Sequence, residues 1–444
     1  MQNIKKFRLA AVVLIFMIAV EFITYYCFSN NYRALYWNSD ISDIIEKGEN
    51  VDMIFVGTSR IYQGISPEII ENELGLKNVC DAASPEQDVK GRYYLLKDML
   101  ESFTPKYVVL EAGMNSLKIE TKNEFNRNVT MDRLRSLKNK IAYFFDDFSP
   151  GEIILFLPSF RFLKGNTISE LIANFKSRMD YFKRNGDPEE LGSVDNKREY
   201  YIKNGYYYDL DEKGGDWTFH LKVNMDDVAP YMDEYYQKMI DLCNEKGIKV
   251  LMISLPLPRR QLFDAEGYMT AVNYYKKIAD RNDIFYANMN FHKELGETMV
   301  EKYFADDLHI NGKGSELTSE AYAEVVRQYL SGEDMSQYFY SDLEDLSKDI
   351  DSIISVNGTL DYNNRKKNYT LEYSSAEPDR LTPEYKYQLI DKKSGEIEFE
   401  SEYSEETEIT IEKDKASMEN YKLKVFARTV GNDADYEVFR EIKS

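Results

Sequence analysis

Asp306 and His309 stand three residues apart in FADDLHINGKGSELTSEAYAEVV, ahead of a glycine-containing turn and a helical pattern. A carboxylate at that spacing can bond one nitrogen of an imidazole and leave the other free to take a proton. Far upstream, VDMIFVGTSR puts Ser59 directly after an apolar strand-like run. A serine hydroxyl is a weak nucleophile until a base removes its proton. Gly113-Met114-Asn115 follows another apolar run and offers Asn115 as an amide donor. Together these are the parts that acyl transfer from an ester demands. Ser59 attacks, His309 shuttles the proton, Asp306 orients the ring, and the Ser59 amide with the Asn115 side chain holds the oxyanion. The chain has three histidines, His220, His292 and His309. Only His309 has an acidic residue at this spacing; the other two read as structural or surface residues. Asp307 is the alternative acid. Each residue alone is an ordinary turn or capping residue, and the set gains its meaning from order. Arg60 is expected to line the pocket or bind an anionic group, with a surface salt bridge as the rival, and Gln87 to be a second substrate-binding residue.

These residues need elements that bring them together. Strand-like runs at Val51–Val56, Lys77–Cys80, Tyr107–Leu110, Lys249–Leu255 and Ile284–Ala287 alternate with helical patterns at Pro67–Leu74, Asp88–Ser102, Tyr231–Lys246, Ala271–Asp280 and Leu317–Leu330. Such alternation predicts an α/β fold: three layers, α/β/α, around a mostly parallel sheet. Active sites in such sheets form at the C-terminal ends of strands, where Ser59 and Asn115 both fall. Residues 120–230 interrupt the pattern and are expected to form a lid or a substrate-facing subdomain. Its Tyr206–Tyr208 and Trp217 could stack on sugar rings or simply pack the insertion.

The chain resembles the SGNH/GDSL hydrolase superfamily. Gly57-Thr58-Ser59 is similar to its serine block, Gly113-Met114-Asn115 to its G-x-N block, and Asp306 with His309 to its D-x-x-H block. Thr58 stands where the superfamily usually has Asp. The second block, Asp81 to Gln87, lacks the usual glycine, so a donor from that loop is left open. The resemblance covers residues 51–330 and implies a flavodoxin-like sheet and a serine esterase or acyltransferase without metal or organic cofactor. With an outward-facing anchor, the chain looks most like the D-alanine transfer protein of teichoic-acid modification and other partners of membrane-bound O-acyltransferases. That likeness implies an acylated envelope polysaccharide or related ester as substrate, and such an acyltransferase as a partner.

The anchor is read from the N-terminus. Lys5, Lys6 and Arg8 precede an apolar run from Leu9 to Phe28, long enough to span a bilayer, and the positive flank puts the rest of the chain outside the cell. A cleaved signal peptide is the rival; the bulky Thr24-Tyr25-Tyr26-Cys27 lacks a small-x-small site and disfavours a lipid-modified Cys27. Glu21 inside the run calls for a partner helix, a polar cavity or a snorkelling path. The three cysteines, Cys27, Cys80 and Cys243, show neither a disulfide framework nor zinc spacing. A formal charge of −21 repels phosphate backbones and argues against nucleic-acid binding.

Four regions follow: a tip and membrane helix at 1–30, a catalytic domain at 31–335 whose first 20 residues are a polar connector, an acidic junction at 336–364, and a small β-sandwich at 365–444 of immunoglobulin or fibronectin-III type. The sandwich rests on short alternating segments such as EYKYQLID and NYKLKVFAR. The rival to an enzyme is an envelope assembly or carbohydrate-binding protein that keeps the hydrolase scaffold without its chemistry.

Overall fold

The computed structural model describes residues 2–29, 31–118, 124–163, 166–183, 199–210, 222–264, 267–299 and 301–442. The centre is a five-stranded parallel sheet of β1 (Met53–Gly57), β2 (Val79–Ala83), β3 (Tyr107–Glu111), β6 (Lys249–Ser254) and β7 (Phe285–Asn288), in the order β2-β1-β3-β6-β7. β1 and β2 are buried along their whole length. Parallel strands covered on both faces read as continuous apolar runs, which is why β1 is visible in sequence. Alternation then divides each strand between two cores. Ile54 and Val56 face one cluster, with the helices Val89–Ser102, Met232–Asn244 and Tyr268–Arg281. Met53 and Phe55 face the other, with Ile70 and the helix Gly312–Ser331. The result is the three-layer α/β/α architecture expected. From β1 the chain passes to β2 on one side, and from β3 to β6 on the other. The ends of β1 and β3 therefore form a topological switch point, where such sheets leave a crevice.

Three boundaries differ most from the sequence reading. Residues 31–50 are no connector: α2 (Tyr32–Glu46), which follows the N-terminal helix α1 (Gln2–Phe28), buries Ala34, Trp37, Ile41 and Ile44 along one face. Its many polar residues disguised that stripe. The long closing helix starts at Gly312 rather than Leu317, because Asn311 caps it and the two glycines are tolerated in its first turn. The C-terminal domain starts at Ser355 rather than 365. β8 (Ser355–Asn363) pairs along its length with β9 (Asn368–Ala376), and β12 (Glu408–Ile411) completes that sheet. The facing sheet has the order β11-β10-β13-β14, from β10 (Pro383–Asp391), β11 (Ile397–Glu400), β13 (Tyr421–Thr429) and β14 (Val438–Ile442). Leu371, Leu389, Leu423 and Val425 fill the space between them.

Two parts of the insertion pack in different places. α8 (Pro158–Leu163) and α9 (Ile168–Lys183) pack beside α1. The hairpin of β4 (Glu199–Tyr201) and β5 (Tyr207–Asp209) packs instead on α3 (Ser59–Gly64) and on the helix Gly312–Ser331. Trp217 and His220 lie outside the described residues.

Candidate active site

β1 ends at Gly57, the chain turns at Thr58, and α3 begins at Ser59. Thr58 caps α3: its hydroxyl oxygen accepts from the Arg60 amide at 3.3 Å. Its own amide and hydroxyl donate to the Glu111 carboxylate at 2.5 and 3.1 Å. Glu111 closes β3, is buried, and takes a third donor, the Ser116 hydroxyl, at 3.3 Å. One carboxylate thus ties the Thr58 turn to the end of the neighbouring strand. Glycines make the room: a Cβ on Gly57 would fall 2.4 Å from Glu111 Oε2, and one on Gly113 2.7 Å from Oε1. Sequence reasoning missed Glu111. The available signal was a charged residue ending the apolar run YVVLE, a placement that costs free energy unless donors meet it.

Ser59 and His309, 250 positions apart in the chain, are brought within hydrogen-bond reach: Ser59 Oγ lies 2.7 Å from His309 Nε2. His309 Nδ1 lies 2.9 Å from Asp306 Oδ2 and 3.0 Å from Oδ1. The amides of Leu308 and His309 also donate to Asp306 Oδ1, each at 2.8 Å. Partial burial pushes the Asp306 carboxyl up. The hydrogen bond from the His309 ring, its charge and the two amides outweigh burial and bring the carboxyl down to about 2. An ionised Asp306 can only accept, so Nδ1 carries the imidazole proton and Nε2 is the acceptor for the serine hydroxyl.

The loop bearing this pair is pinned at its base. Ala305 donates to the His309 carbonyl at 2.8 Å and Asn311 to the Tyr303 carbonyl at 3.0 Å. Asn311 also accepts from Gly314 at 3.0 Å and so starts the following helix. Asp307 points elsewhere, to an ion pair with Arg260 in which both side chains are buried. It braces the loop, and Asp306 alone reaches the ring.

Asn115 sits in the 3₁₀ turn Met114–Lys118 after β3. Its Oδ1 is enclosed against Gly113, which leaves Nδ2 as the accessible end of the amide. The Ser59 amide opens α3, where helix geometry provides no internal partner for it. The two residues read as substrate-binding both lie inside the fold. Arg60 is buried and donates to the carbonyls of Leu255 and Pro256 at 2.7 and 2.8 Å, tying α3 to the end of β6. Gln87 is buried too; its Nε2 donates to Thr130 Oγ1 at 3.1 Å and its carbonyl accepts from Arg92 at 3.0 Å. Arg60 lies in the first turn of α3 and Gln87 just before the helix Val89–Ser102, and both side chains turn inward. The second block is held by Arg133, which donates to the Ala83 carbonyl and, at 3.2 Å, to Ser84 Oγ.

Of the three tyrosines, Tyr206 and Tyr207 are buried as packing residues, and the Tyr206 hydroxyl lies 2.5 Å from Ser315 Oγ. The Tyr208 ring rests on Gly312, where a Cβ would be 2.2 Å from it. His292 is buried, caps the short helix Lys293–Thr298 by accepting from Leu295 at 3.1 Å, and is pushed to a lower pKa by burial.

No protein-family model matches the chain, and no curated protein matches it. Among solved structures it is similar to a lipolytic protein of the G-D-S-L family from Desulfitobacterium hafniense DCB-2, at 8% identity and a TM-score of 0.31 over 62% of this chain and 99% of that one. It is similar to the acetyl xylan esterase AlAXEase, at 12% identity and a TM-score of 0.29 over 62% and 100%. A two-domain esterase, CEX, active on acetylated mannans, overlaps 92% of this chain and 94% of its own at 11% identity and a TM-score of 0.29. Likeness at these scores decides nothing about chemistry, which rests on the side-chain geometry above.

Proposed function

We propose that this chain is a serine ester hydrolase or O-acyltransferase working through an acyl-enzyme on Ser59. The observation that carries it is the continuous hydrogen-bonded chain from Ser59 Oγ through His309 to Asp306 at the switch point of the sheet. As Ser59 Oγ bonds to the acyl carbonyl carbon, its proton passes to His309 Nε2. Asp306 stabilises the imidazolium through Nδ1. The oxyanion is held by the Ser59 amide and Asn115 Nδ2. The carbon–oxygen ester bond then breaks, and His309 returns the proton to the leaving alkoxide. A water or an acceptor hydroxyl repeats the sequence in reverse and frees Ser59.

α1 is read as a retained membrane anchor with the catalytic domain outside the cell. Its segment Phe7–Phe28 is 22 residues long with a mean hydropathy of 2.3. The contact that supports retention is Glu21, whose carboxylate accepts from the Ser159 amide at 2.8 Å and from its hydroxyl at 2.5 Å. Removal of a leader at that point would strip a folded element of its partner. This placement favours acyl esters of an envelope polysaccharide or related polymer as substrate, with a membrane-bound O-acyltransferase as partner.

Ser59→Ala should lower turnover of p-nitrophenyl acetate by at least ~10³-fold with an unchanged melting curve. A fluorophosphonate should label the native chain at Ser59 and not the variant. Native turnover in Ser59→Ala would overturn the assignment and favour a scaffold without chemistry.

A further inference from the structure

α8, α9 and the 3₁₀ segment Pro150–Phe156 before them carry large apolar side chains that stay exposed among the described residues. Ile153, Ile154 and Phe160 are exposed, as are Ile168, Ile172 and Phe175. The last three fall at helical positions i, i+4 and i+7 of α9, so they form one stripe. Contiguous apolar surface of this kind is rare on a protein bathed only in water.

Its position says what covers it. α9 crosses the end of α1, with the Phe175 ring 5.9 Å from Phe28 and the Phe182 ring 6.1 Å from Tyr26. Arg178 donates to the Tyr26 carbonyl at 2.8 Å, fastening the two helices. The bond from Ser159 to Glu21 fixes the depth of α8. Glu21 lies seven residues before Phe28, roughly 10 Å along the helix axis. The segment Phe7–Phe28 is roughly 33 Å long at 1.5 Å per residue, against a hydrocarbon core of about 30 Å. A helix spanning the bilayer over that segment carries Glu21 below the outer boundary of the hydrocarbon. The start of α8 must then be below it as well.

We infer that α8, α9 and the preceding 3₁₀ segment form a collar immersed in the outer leaflet, with lipid acyl chains as the occupant of the apolar stripe. The inference rests on the reading of α1 as a membrane span. It adds a second membrane contact, which would hold the catalytic domain at a fixed height and tilt rather than on a single swivelling helix. It also removes the cost of Glu21 in lipid: the carboxylate meets the Ser159 amide and hydroxyl instead of hydrocarbon.

The test uses the full chain in phosphatidylcholine vesicles with bromine atoms on the acyl chains, which quench tryptophan by contact. Phe160→Trp and Ile172→Trp report on the collar, Leu14→Trp on the middle of α1, and Phe439→Trp on the distant face of the sandwich. The native chain supplies the background to subtract. The expected result is a fall of about twofold or more in the added emission at 14, 160 and 172, with none at 439. Quenching at 14 without quenching at 160 and 172 would overturn the collar and leave the anchor standing. It would mean that water or a partner protein covers the stripe. No quenching at 14 would overturn the anchor, and the collar with it.

Discussion

At the scale of single residues, the site is a matter of which carboxylate does which job. Asp306, Asp307 and Glu111 all belong to the segments around Ser59 and His309, and each has a different partner. Asp306 faces the imidazole, Asp307 faces Arg260, and Glu111 faces the Thr58 amide and two hydroxyls. Only a group facing the ring can hold its tautomer, so Asp306→Asn should lower kcat for an ester by roughly 10²–10⁴-fold with little change in KM. The same variant has a stability signature. The folded carboxyl sits near 2 against an ordinary 3.8. Between those values the unfolded chain binds more protons than the folded one, so stability rises with pH there. The contribution is complete above the ordinary value and is lost as pH falls through about 2. The melting-temperature gap between native chain and Asp306→Asn should be open at pH 5 and close towards pH 2; a gap independent of pH would contradict the lowered Asp306 carboxyl.

At the scale of elements, the hairpin β4–β5 decides how the base is supported. The Tyr208 ring lies against Gly312, in the first turn of the helix that follows His309. Nothing in the composition of 199–210 signals that contact, because it depends on a hairpin folding back more than 100 positions along the chain. Gly312→Ala should force the ring away and destabilise the protein, by roughly 1–3 kcal/mol on the scale of overpacked sites. In a Tyr208→Ala background the same change should cost little, and the double-mutant cycle reads the difference as coupling. Additive effects would show that the close approach carries no energy. Elements were otherwise legible to different degrees. β1, β2, β3 and β6 lie between the two helical layers, so their sequences are apolar apart from Asp81, Glu111, Lys249 and Ser254. α2 was not legible, since its buried stripe is diluted by Asn38, Ser39, Asp40, Ser42 and Asp43.

At the scale of the whole molecule, the α/β domain and the sandwich have separate cores. The sandwich core gathers Ile353, Leu371, Leu389 and Val425 and shares no residue with the two cores of the α/β domain. Arg380 links it to the junction through the carbonyl of Ile350 and the carboxylate of Asp351. A domain with its own core unfolds as its own unit unless its interface is large and apolar. Calorimetry of the detergent-solubilised chain should resolve two transitions, and deletion of residues 355–442 should remove one of them. A single transition that survives the deletion would show that the two domains melt together.

Sequence alone determined the chemistry on offer and the frame that carries it. Ser59, Asn115, Asp306 and His309 follow strand-like or turn-like signals in an order that implies one crevice, because residue type and strand period are local properties. Tertiary structure decided what those signals could not reach. It chose Asp306 over Asp307, turned Arg60 and Gln87 inward, set Glu111 beneath the nucleophile turn, and laid α8 and α9 against α1. Each of these depends on which groups face one another across long stretches of chain, and a buried charge takes its role from the partner it meets.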